Sequence, residues 1–359
     1  MLEEKLNLIF HRLITYADGR PIVVPLSGGY DSRLITLMLK KLRYDNVIAF
    51  SYGVYGNKNS YLSKQVAEEL SIPWHFVEYT NDKWKTWYLS NEMREYERYA
   101  GGFSTLPHFQ DWPAVMSLKR QHLVPDNSIF VPGHCIEMGF RTTRYPEVYS
   151  KFATFEDALN AIISLHYYLN GGLSDKKDMA KYKIRIKSRM GDFSQYISPA
   201  SLFDAFEQQE RQVKYINNSV RVYEFWGFDW WTPLWEREYQ DFWASVPMFA
   251  KRASKLYIAN IKNLCSLFGV FSSHGEKRDD DKNDVASCLK RYIKMLMPAH
   301  LYSKLREKRK NTDINFHSHP LAFYGCFSDS ELREHVEHGR SHFLSMLVYE
   351  YLACVLNKK

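Results

Sequence analysis

The sequence predicts an α/β fold in which a parallel sheet is followed by a large, mainly helical C-terminal part. Four short apolar runs have the length and the β-branched or aromatic content of buried strands, and helical patterns separate them. Strands that alternate with helices are typical of a parallel sheet. The four runs lie at residues 22–26, 46–52, 74–79 and 128–131. We therefore expect an α/β core at residues 1–145, and a helical part at residues 146–359 that completes the domain and its acceptor site.

The helices of this core are predicted from their own patterns. Residues 3–17 carry apolar side chains at helical spacing, and the same spacing follows the first strand. The Asn-Ser pair at residues 59–60 can cap a helix that ends at Leu70. One continuous helix is predicted at residues 82–99, and a Gly-led segment then leads into a helix that ends near Arg120.

The segment between the first strand and its helix, residues 27–32, is the first candidate site, here called the first loop. It reads S-G-G-Y-D-S, with small residues where the backbone must come close to a ligand. The N–H groups at the start of a helix, together with the hydroxyls of Ser27 and Ser32, suit a phosphate group. Asp31 lies in the first helical turn, where it could hold a magnesium ion. The spacing and the missing lysine exclude a Walker loop.

A second candidate site, residues 132–141, directly follows the fourth strand and is here called the second loop. It reads P-G-H-C-I-E-M-G-F-R. Ligands of parallel sheets bind beyond the carboxyl ends of the strands, so this loop should lie beside the first. Glu137 is then a candidate magnesium ligand or base. His134 is either a catalytic group or a hydrogen-bonded structural histidine, and Cys135 is expected to be a small, half-buried residue.

Composition narrows the function classes. The formal net charge of +7 permits an anionic substrate but does not by itself indicate nucleic acid. Five well-separated cysteines show neither zinc-site spacing nor a disulfide framework. Because no apolar run is long enough to span a membrane and the N-terminus lacks a signal-peptide pattern, we expect a cytoplasmic protein.

Three further stretches have open interpretations. Residues 181–189 are either an anion-binding strip or, by preference, a solvated basic face, and residues 209–257 are aromatic-dense and expected to form core. Within the latter, Arg211, Asn217, Arg221 and Glu224 require partners or a ligand. Residues 272–284 form a charged insert that could act as a lid, and the basic residues at 304–310 either neutralise a departing pyrophosphate or form an exposed helix end.

The two loops carry a family resemblance. The first loop resembles the pyrophosphate loop of the N-type ATP pyrophosphatases and of asparagine synthetase. Residues 132–140 stand where the synthetase domain of that enzyme has S-G-E-G-A-D-E, and W-T-P-L-W-E at 231–236 resembles its P-[LF]-[WL]-D segment. The chain is most similar to asparagine-synthetase-related proteins of bacterial polysaccharide gene clusters, with their P-G-H-x-x-D loop and V-R-V-Y-E-F-[FW]-G stretch. The resemblance implies the core fold of the adenine nucleotide α-hydrolases, often called HUP-like.

The resemblance also implies a set of site residues. It implies magnesium at Asp31 and Glu137, and catalytic roles for these two residues and His134. Where this family has a glutaminase domain with a cysteine after the initiator methionine, Leu2 follows Met1, so ammonia is expected from a separate glutaminase. His134 replaces an acidic residue of the family, and Glu137 replaces an aspartate. The residues implied to bind ATP are Leu26, Ser27, Gly28, Gly29, Asp31, Ser32, Ser51 and Gly133.

The resulting hypothesis is an ATP-dependent, AMP-forming ligase that adenylates a small-molecule or sugar-linked carboxylate, such as a uronic acid or an amino acid. The acyl group then passes to ammonia or an amine. Two alternatives stay open at this point. A tRNA-modifying ATP pyrophosphatase would share the first loop, although no paired cysteines or RNA-binding appendage are evident. A nucleotide-binding module without catalysis would explain the altered residues 134 and 137, but not the intact first loop.

Overall fold

The computed structural model describes most of the chain, and the account below concerns these residues alone. They are residues 1–102, 105–134, 142, 145–167, 176–251, 254–270, 316–340 and 342–356. Four features discussed above lie outside the described residues: Cys135, Glu137, the charged insert at 272–284 and the basic cluster at 304–310.

A five-stranded, fully parallel sheet forms the centre of the fold, which confirms the predicted α/β class. Its strands are β1 (Ile22–Pro25), β2 (Val47–Gly53), β3 (Trp74–Glu78), β4 (Ile129–Phe130) and β5 (Asp229–Trp230). Their spatial order is β3-β2-β1-β4-β5. In register, Val23 pairs with Ile48 on one side and with Phe130 on the other. The short fifth strand was not predicted, because two residues give no detectable period.

Helices follow each of the first four strands and dominate the chain after residue 145. The α-helices are α1 (Leu2–Ala17), α2 (Tyr30–Lys41), α3 (Lys58–Glu69), α4 (Asn81–Tyr88), α5 (Asn91–Gly101), α6 (Trp112–Arg120), α7 (Pro146–Tyr149), α8 (Phe155–His166), α9 (Lys176–Met190), α10 (Pro199–Phe206), α11 (Arg221–Phe225), α12 (Arg237–Ser245), α13 (Met248–Lys251), α14 (Lys255–Leu267), α15 (Asp329–Glu337) and α16 (Phe343–Leu356). A π-helical stretch spans Glu207–Ile216, and 3-10 helices span Phe193–Gln195, Asn217–Val220, Pro233–Trp235, Phe316–Ser318 and Phe323–Cys326.

Two helix predictions were wrong in detail, and capping explains both. The single helix expected at residues 82–99 is divided into α4 and α5, because Ser90 leaves helical geometry and its hydroxyl accepts a hydrogen bond from the Met93 N–H at 3.1 Å. The cap of α3 is Asn57 rather than the pair at 59–60, since its side chain accepts the Ser60 N–H at 2.9 Å.

Both faces of the sheet are covered, as a parallel sheet requires. Ile22 and Val24 of β1 are fully buried on one face, in a cluster formed mainly with α1, α2, α12 and α14. Val23 is buried on the other face, in an aromatic-rich cluster with residues of α4, α5, α6, α11 and α16. A third cluster, away from the sheet, joins α8 to α10. Aromatic residues of the 209–257 stretch are thus largely core, as expected.

The strand order places a switch point at the middle of the sheet. From β1, the chain adds β2 and β3 towards one edge, whereas β4 and β5 lie towards the other. The loops that follow β1 and β4 therefore leave two neighbouring strands and lead to opposite sides of the switch point. In open α/β sheets, the crevice beyond the carboxyl ends at such a point is where ligands bind. Both sequence-predicted loops begin there.

Candidate functional site

The first loop is closed by its own hydroxyl groups. The Ser27 N–H donates to Ser32 Oγ at 3.0 Å, the two serine hydroxyls lie 3.2 Å apart, and the Gly29 N–H donates to Ser27 Oγ at 3.1 Å. Gly29 is the N-cap of α2 and has no side chain to cap it. Ser27 and Gly29 are both exposed. The loop therefore presents the start of a helix, with its N–H dipoles, at the surface beyond β1.

Asp31 is the charged group of this loop, and its surroundings alter its ionisation. Burial strips water from the carboxylate and raises its pKa from 3.8 to about 6, an effect that a hydrogen bond donated by the Tyr257 hydroxyl opposes. At neutral pH the carboxylate is ionised and held by Tyr257. The contact joins two residues 226 positions apart. No local motif marks Tyr257, so the sequence alone did not identify it.

Gly133 brings the second loop against the first. A Cβ atom at this position would lie 2.8 Å from the Ser32 backbone N and 3.0 Å from Asp31 Cβ, distances that no side chain tolerates without backbone movement. Glycine is thus required for this approach, and the two predicted loops meet at the switch point. Glu137 and Cys135 lie beyond the described part of this loop, so the assignment of Glu137 to magnesium stays a prediction.

His134 follows directly in the second loop, and its half-buried side chain contacts the 3-10 helix that contains Ser219. Its Nε2 atom lies 3.2 Å from Ser219 Oγ. Burial lowers the His134 pKa to about 4, while the negative charge of Asp111 opposes the shift and His108 adds to it. The imidazole is therefore neutral at physiological pH and has a lone pair that can accept a proton.

The other predicted nucleotide-binding residues lie near this crevice but have structural roles of their own. Leu26 is only 1% exposed, and its N–H donates to the Phe50 carbonyl oxygen at 2.9 Å. Gly28 permits close packing on α3, since a Cβ there would lie 3.0 Å from Asn59 Oδ1. Ser51 is buried near the carboxyl end of β2. Their contacts with adenosine stay predictions.

A comparison with known families identifies the first part of this site. Residues 15–98 match the model of the family described as asparagine synthase. This segment is therefore similar to part of that family's domain. It contains β1 to β3, the whole first loop and Ser51, whereas Gly133, His134 and Tyr257 lie outside the matched residues. The match supports an ATP-using, ligase-like enzyme of the adenylating ATP pyrophosphatase type. No curated protein matches the chain significantly.

Two solved structures resemble the chain weakly. An NH3-dependent NAD synthetase from Campylobacter jejuni is 15% identical and covers 60% of this chain and 93% of its own, with a TM-score of 0.26. The U34-tRNA thiolase NcsA from Methanococcus maripaludis is 12% identical and covers 69% of this chain and 80% of its own, with a TM-score of 0.22. At such low TM-scores, nothing about the site of the present chain follows from either structure.

A buried polar cluster next to the asparagine synthase segment was not predicted. Asp111 is 4% exposed and accepts hydrogen bonds from the hydroxyls of Tyr52, at 2.5 Å, and Tyr223, at 3.2 Å. The Gln110 amide also donates to the Tyr52 hydroxyl, at 2.7 Å. Tyr52 follows Ser51 at the carboxyl end of β2, so this cluster lies next to the crevice. The sequence signal for this cluster is the run of polar residues at the end of the Gly-led segment before α6.

The polar residues singled out within 209–257 are paired inside the protein. Arg221 donates to Glu224 at 2.8 Å, and Glu224 also accepts hydrogen bonds from the Tyr99 hydroxyl and the Trp230 indole. Asn217 accepts the Gln212 amide at 3.1 Å. These contacts explain the residues without a ligand. The basic stretch at 181–189 is part of α9, where Lys183 pairs with Glu156 and Arg189 with Glu210.

Lys251, the last residue of α13, is a buried cation that no sequence pattern marked. It is 4% exposed, and burial lowers its pKa while the negative charge of Asp204 opposes the shift. Asp204 in turn accepts a hydrogen bond from the hydroxyl of Thr142, the residue after the second loop. Asp204 thus anchors Thr142 to α10.

Proposed function

We propose that this chain is an ATP-dependent carbon–nitrogen ligase that activates a carboxylate as its adenylate and releases AMP and pyrophosphate. The observation that carries the proposal is the contact of Gly133 with Ser32 and Asp31 at the switch point of the sheet. It assembles, beyond neighbouring strands, an exposed helix start, two hydroxyls, a carboxylate and a neutral imidazole. The match of residues 15–98 to the asparagine synthase family supports the same chemistry.

The first half-reaction explains the first loop. A carboxylate oxygen of the substrate attacks the α-phosphorus of ATP, and the bond from that phosphorus to the α,β-bridging oxygen breaks. Pyrophosphate leaves with the bond electrons, and an acyl-adenylate forms. The backbone N–H groups of residues 30–32 and the hydroxyls of Ser27 and Ser32 would stabilise the negative charge that develops on the departing pyrophosphate.

The second half-reaction explains the neutral histidine. An amine or ammonia attacks the acyl carbon, the bond to the AMP oxygen breaks, and the nitrogen must lose a proton. His134 is positioned beside the first loop and is unprotonated at neutral pH, so it can take that proton as a general base. We propose ammonia from a partner glutaminase, or a primary amine, as the nitrogen donor.

The residues present fit a magnesium ion. Magnesium is commonly held by one or two carboxylates together with substrate phosphates, so Asp31 in the first turn is a suitable ligand, with Glu137 proposed as a second. When bound, the ion would neutralise charge on the phosphates.

ATP–pyrophosphate exchange tests this proposal. We expect exchange that depends on a carboxylic acid and on magnesium, with AMP rather than ADP as the nucleotide product. Asp31→Asn should abolish exchange, whereas Asp82→Asn, the same change in the exposed first turn of α4, should leave it intact. Formation of ADP, exchange stimulated only by tRNA, or full exchange by the Asp31→Asn variant would each refute the proposal.

A further inference from the structure

The hydroxyl group of Ser219 contacts the His134 ring, and the two half-reactions give it no role. Ser219 Oγ lies 3.2 Å from His134 Nε2 and 3.3 Å from Nδ1. The two residues are 85 positions apart, and neither belongs to the matched segment at residues 15–98. Ser219 is only 1% exposed, so the contact is shielded from bulk water. It depends on the folded chain, and no local pattern marked it.

The residues around Ser219 fix the place of its hydroxyl. Ser219 belongs to the 3-10 helix Asn217–Val220, which directly follows the π-helical stretch. The side chain of Asn218 donates to the Ala100 carbonyl oxygen of α5 at 2.9 Å. Val220, on the other side, is 5% exposed and packs in the aromatic-rich cluster that covers the sheet. The neighbours on both sides thus hold Ser219 in place against His134.

The single proton of this hydroxyl is already used. Ser219 Oγ donates to the Ile216 carbonyl oxygen at 2.7 Å, a shorter contact than either distance to the imidazole. A serine hydroxyl has one proton and two lone pairs, so another group within hydrogen-bond distance of Oγ must donate to it. The His134 ring must therefore present an N–H to Ser219.

A neutral imidazole can meet this requirement with one ring nitrogen only. It carries one N–H and one lone pair, on different nitrogens, and the proton can sit on either of them. The nitrogen that bonds to Ser219 must carry the proton, which leaves the lone pair on the other nitrogen. Burial keeps the ring neutral, because it lowers the pKa of His134 to about 4. The contact thus selects one of the two neutral forms of the ring.

We propose that Ser219 is a positioning residue that accepts the N–H of neutral His134 and holds the ring in a single tautomer, so that the other nitrogen can accept a proton. This inference rests on the proposed function, since a base is needed only where an amine attacks. In that step the amine N–H bond breaks, its electron pair stays on the nitrogen, and the proton moves to the lone pair of His134. Ser219 continues to accept an N–H of the imidazolium that forms, in a hydrogen bond that the positive charge strengthens.

The same contacts argue against Ser219 as a nucleophile. A serine that attacks a substrate gives its proton to a base, whereas the Ser219 proton is directed to a backbone carbonyl oxygen. At 1% exposure, its oxygen also lacks the open space that a reacting carbon would occupy. Ser219 therefore acts on the reaction through His134.

NMR spectroscopy of the imidazole nitrogens tests the contact without any substrate. In the full chain labelled with ¹⁵N-histidine, the chemical shifts of the two ring nitrogens distinguish the neutral tautomers at neutral pH. The His134→Gln variant identifies the His134 signals among the 13 histidines, because it lacks them. We expect one tautomer of His134 in the wild type and a mixture of both in Ser219→Ala. Mixed tautomers in the wild type, or a single tautomer retained in Ser219→Ala, would overturn the proposal.

Ser128→Ala is the matched control. Ser128 is fully buried, and its hydroxyl also donates to the carbonyl oxygen three positions earlier, that of Pro125, at 2.6 Å. The change removes the same type of hydrogen bond at the start of β4, whereas His134 follows the carboxyl end of that strand. It should leave the His134 tautomer unchanged. Ser219→Thr keeps a hydroxyl at the contact and should retain the single tautomer.

Kinetics of the separate half-reactions measure the effect on the proposed chemistry. Ser219→Ala should slow amide formation about tenfold, as the loss of one hydrogen bond to a charged group allows, and leave ATP–pyrophosphate exchange within about twofold. Ser128→Ala should leave both rates within about twofold. Circular dichroism and thermal melting of all variants identify any loss of folding. Equal slowing of amide formation by Ser219→Ala and Ser128→Ala would overturn the positioning role.

The outcomes distinguish this inference from the ligase proposal. Exchange and amide formation that Ser219→Ala leaves unchanged would overturn the role of Ser219 and leave the ligase proposal standing. A tautomer mixture in Ser219→Ala, without exchange by the wild type for any acid, would support the role of Ser219 in holding the ring and overturn the ligase proposal. Absence of exchange together with a single tautomer in Ser219→Ala would overturn both.

Discussion

Asp31→Asn should make the protein more stable while it removes the activity. In the folded chain, burial raises the pKa of Asp31 from 3.8 to about 6. A carboxyl group whose pKa is higher in the folded than in the unfolded state binds protons more tightly when folded, so folding loses stability as the pH rises between these two values. A shift of about two pKa units corresponds to ~3 kcal/mol, all of it lost above pH 7. An amide of the same shape avoids this cost.

The pH dependence distinguishes this mechanism from a general effect of the substitution. The stabilisation by Asp31→Asn should be at most ~3 kcal/mol at pH 8 and fall below ~1 kcal/mol at pH 4, where the wild-type carboxyl is protonated in the folded state and only partly ionised in the unfolded state. With an unfolding entropy of about 2.1 cal/mol/K per residue, a chain of 359 residues would melt about 4 °C higher at pH 8.

Thermal melting of both proteins from pH 4 to pH 8, in parallel with ATP–pyrophosphate exchange, measures the two effects. The Asp82→Asn variant provides the control for loss of a first-turn aspartate at an exposed helix start. A melting temperature that the Asp31→Asn change lowers, or raises equally at pH 4 and pH 8, would refute the argument that desolvation of this carboxylate costs stability.

Three further predictions test the second loop and the core. His134→Gln should preserve exchange but slow amide formation by about 100-fold. The wild type loses stability from pH 6.5 to pH 4 as the buried imidazole protonates, and this loss should be smaller in the variant. Loss of exchange would contradict a role of His134 in the second step. Gly133→Ala should lower both the melting temperature and the rate of exchange. Gly29→Ala should leave the melting temperature unchanged, because its Cβ would contact only Ser27 Oγ, at 3.1 Å. Equal melting temperatures of the two variants would contradict the close approach of Gly133 to the first loop. Residues 1–145 alone should show no cooperative melting transition, and a sharp one would contradict a core shared with later helices.

Local patterns predicted the parallel sheet well, because each of the first four strands is an apolar run that a turn signal and then a helix follow. The first four strands lie within one or two residues of the predicted bounds. The division between α4 and α5 depends on Ser90, a residue that is polar enough to cap a helix yet common inside one. The fifth strand depends on pairing with β4, which only the folded chain supplies.

The candidate site was predictable where chemistry is encoded locally. Ser27 and Asp31 stand in one short motif with a recognisable spacing, and Gly133 follows a strand end. Tyr257 and Asp111 were missed because each acts through a contact with a residue far away in the chain. Amino-acid patterns report on neighbours in sequence, and a tyrosine at the end of an aromatic-dense stretch gives no sign that its hydroxyl will face a carboxylate.

The later, helical residues are therefore part of the site rather than an appendage to it. Tyr257 belongs to α14, and Tyr257 and α2 share one hydrophobic cluster on the sheet. Tyr223 belongs to α11, packs at 4.6 Å on Phe130 of β4 and donates to Asp111. The tyrosines that donate hydrogen bonds to Asp31 and Asp111 thus come from elements that also bury the sheet. The matched segment at residues 15–98 thus contains the first loop, while residues outside it, such as Gly133 and Tyr257, contact that loop.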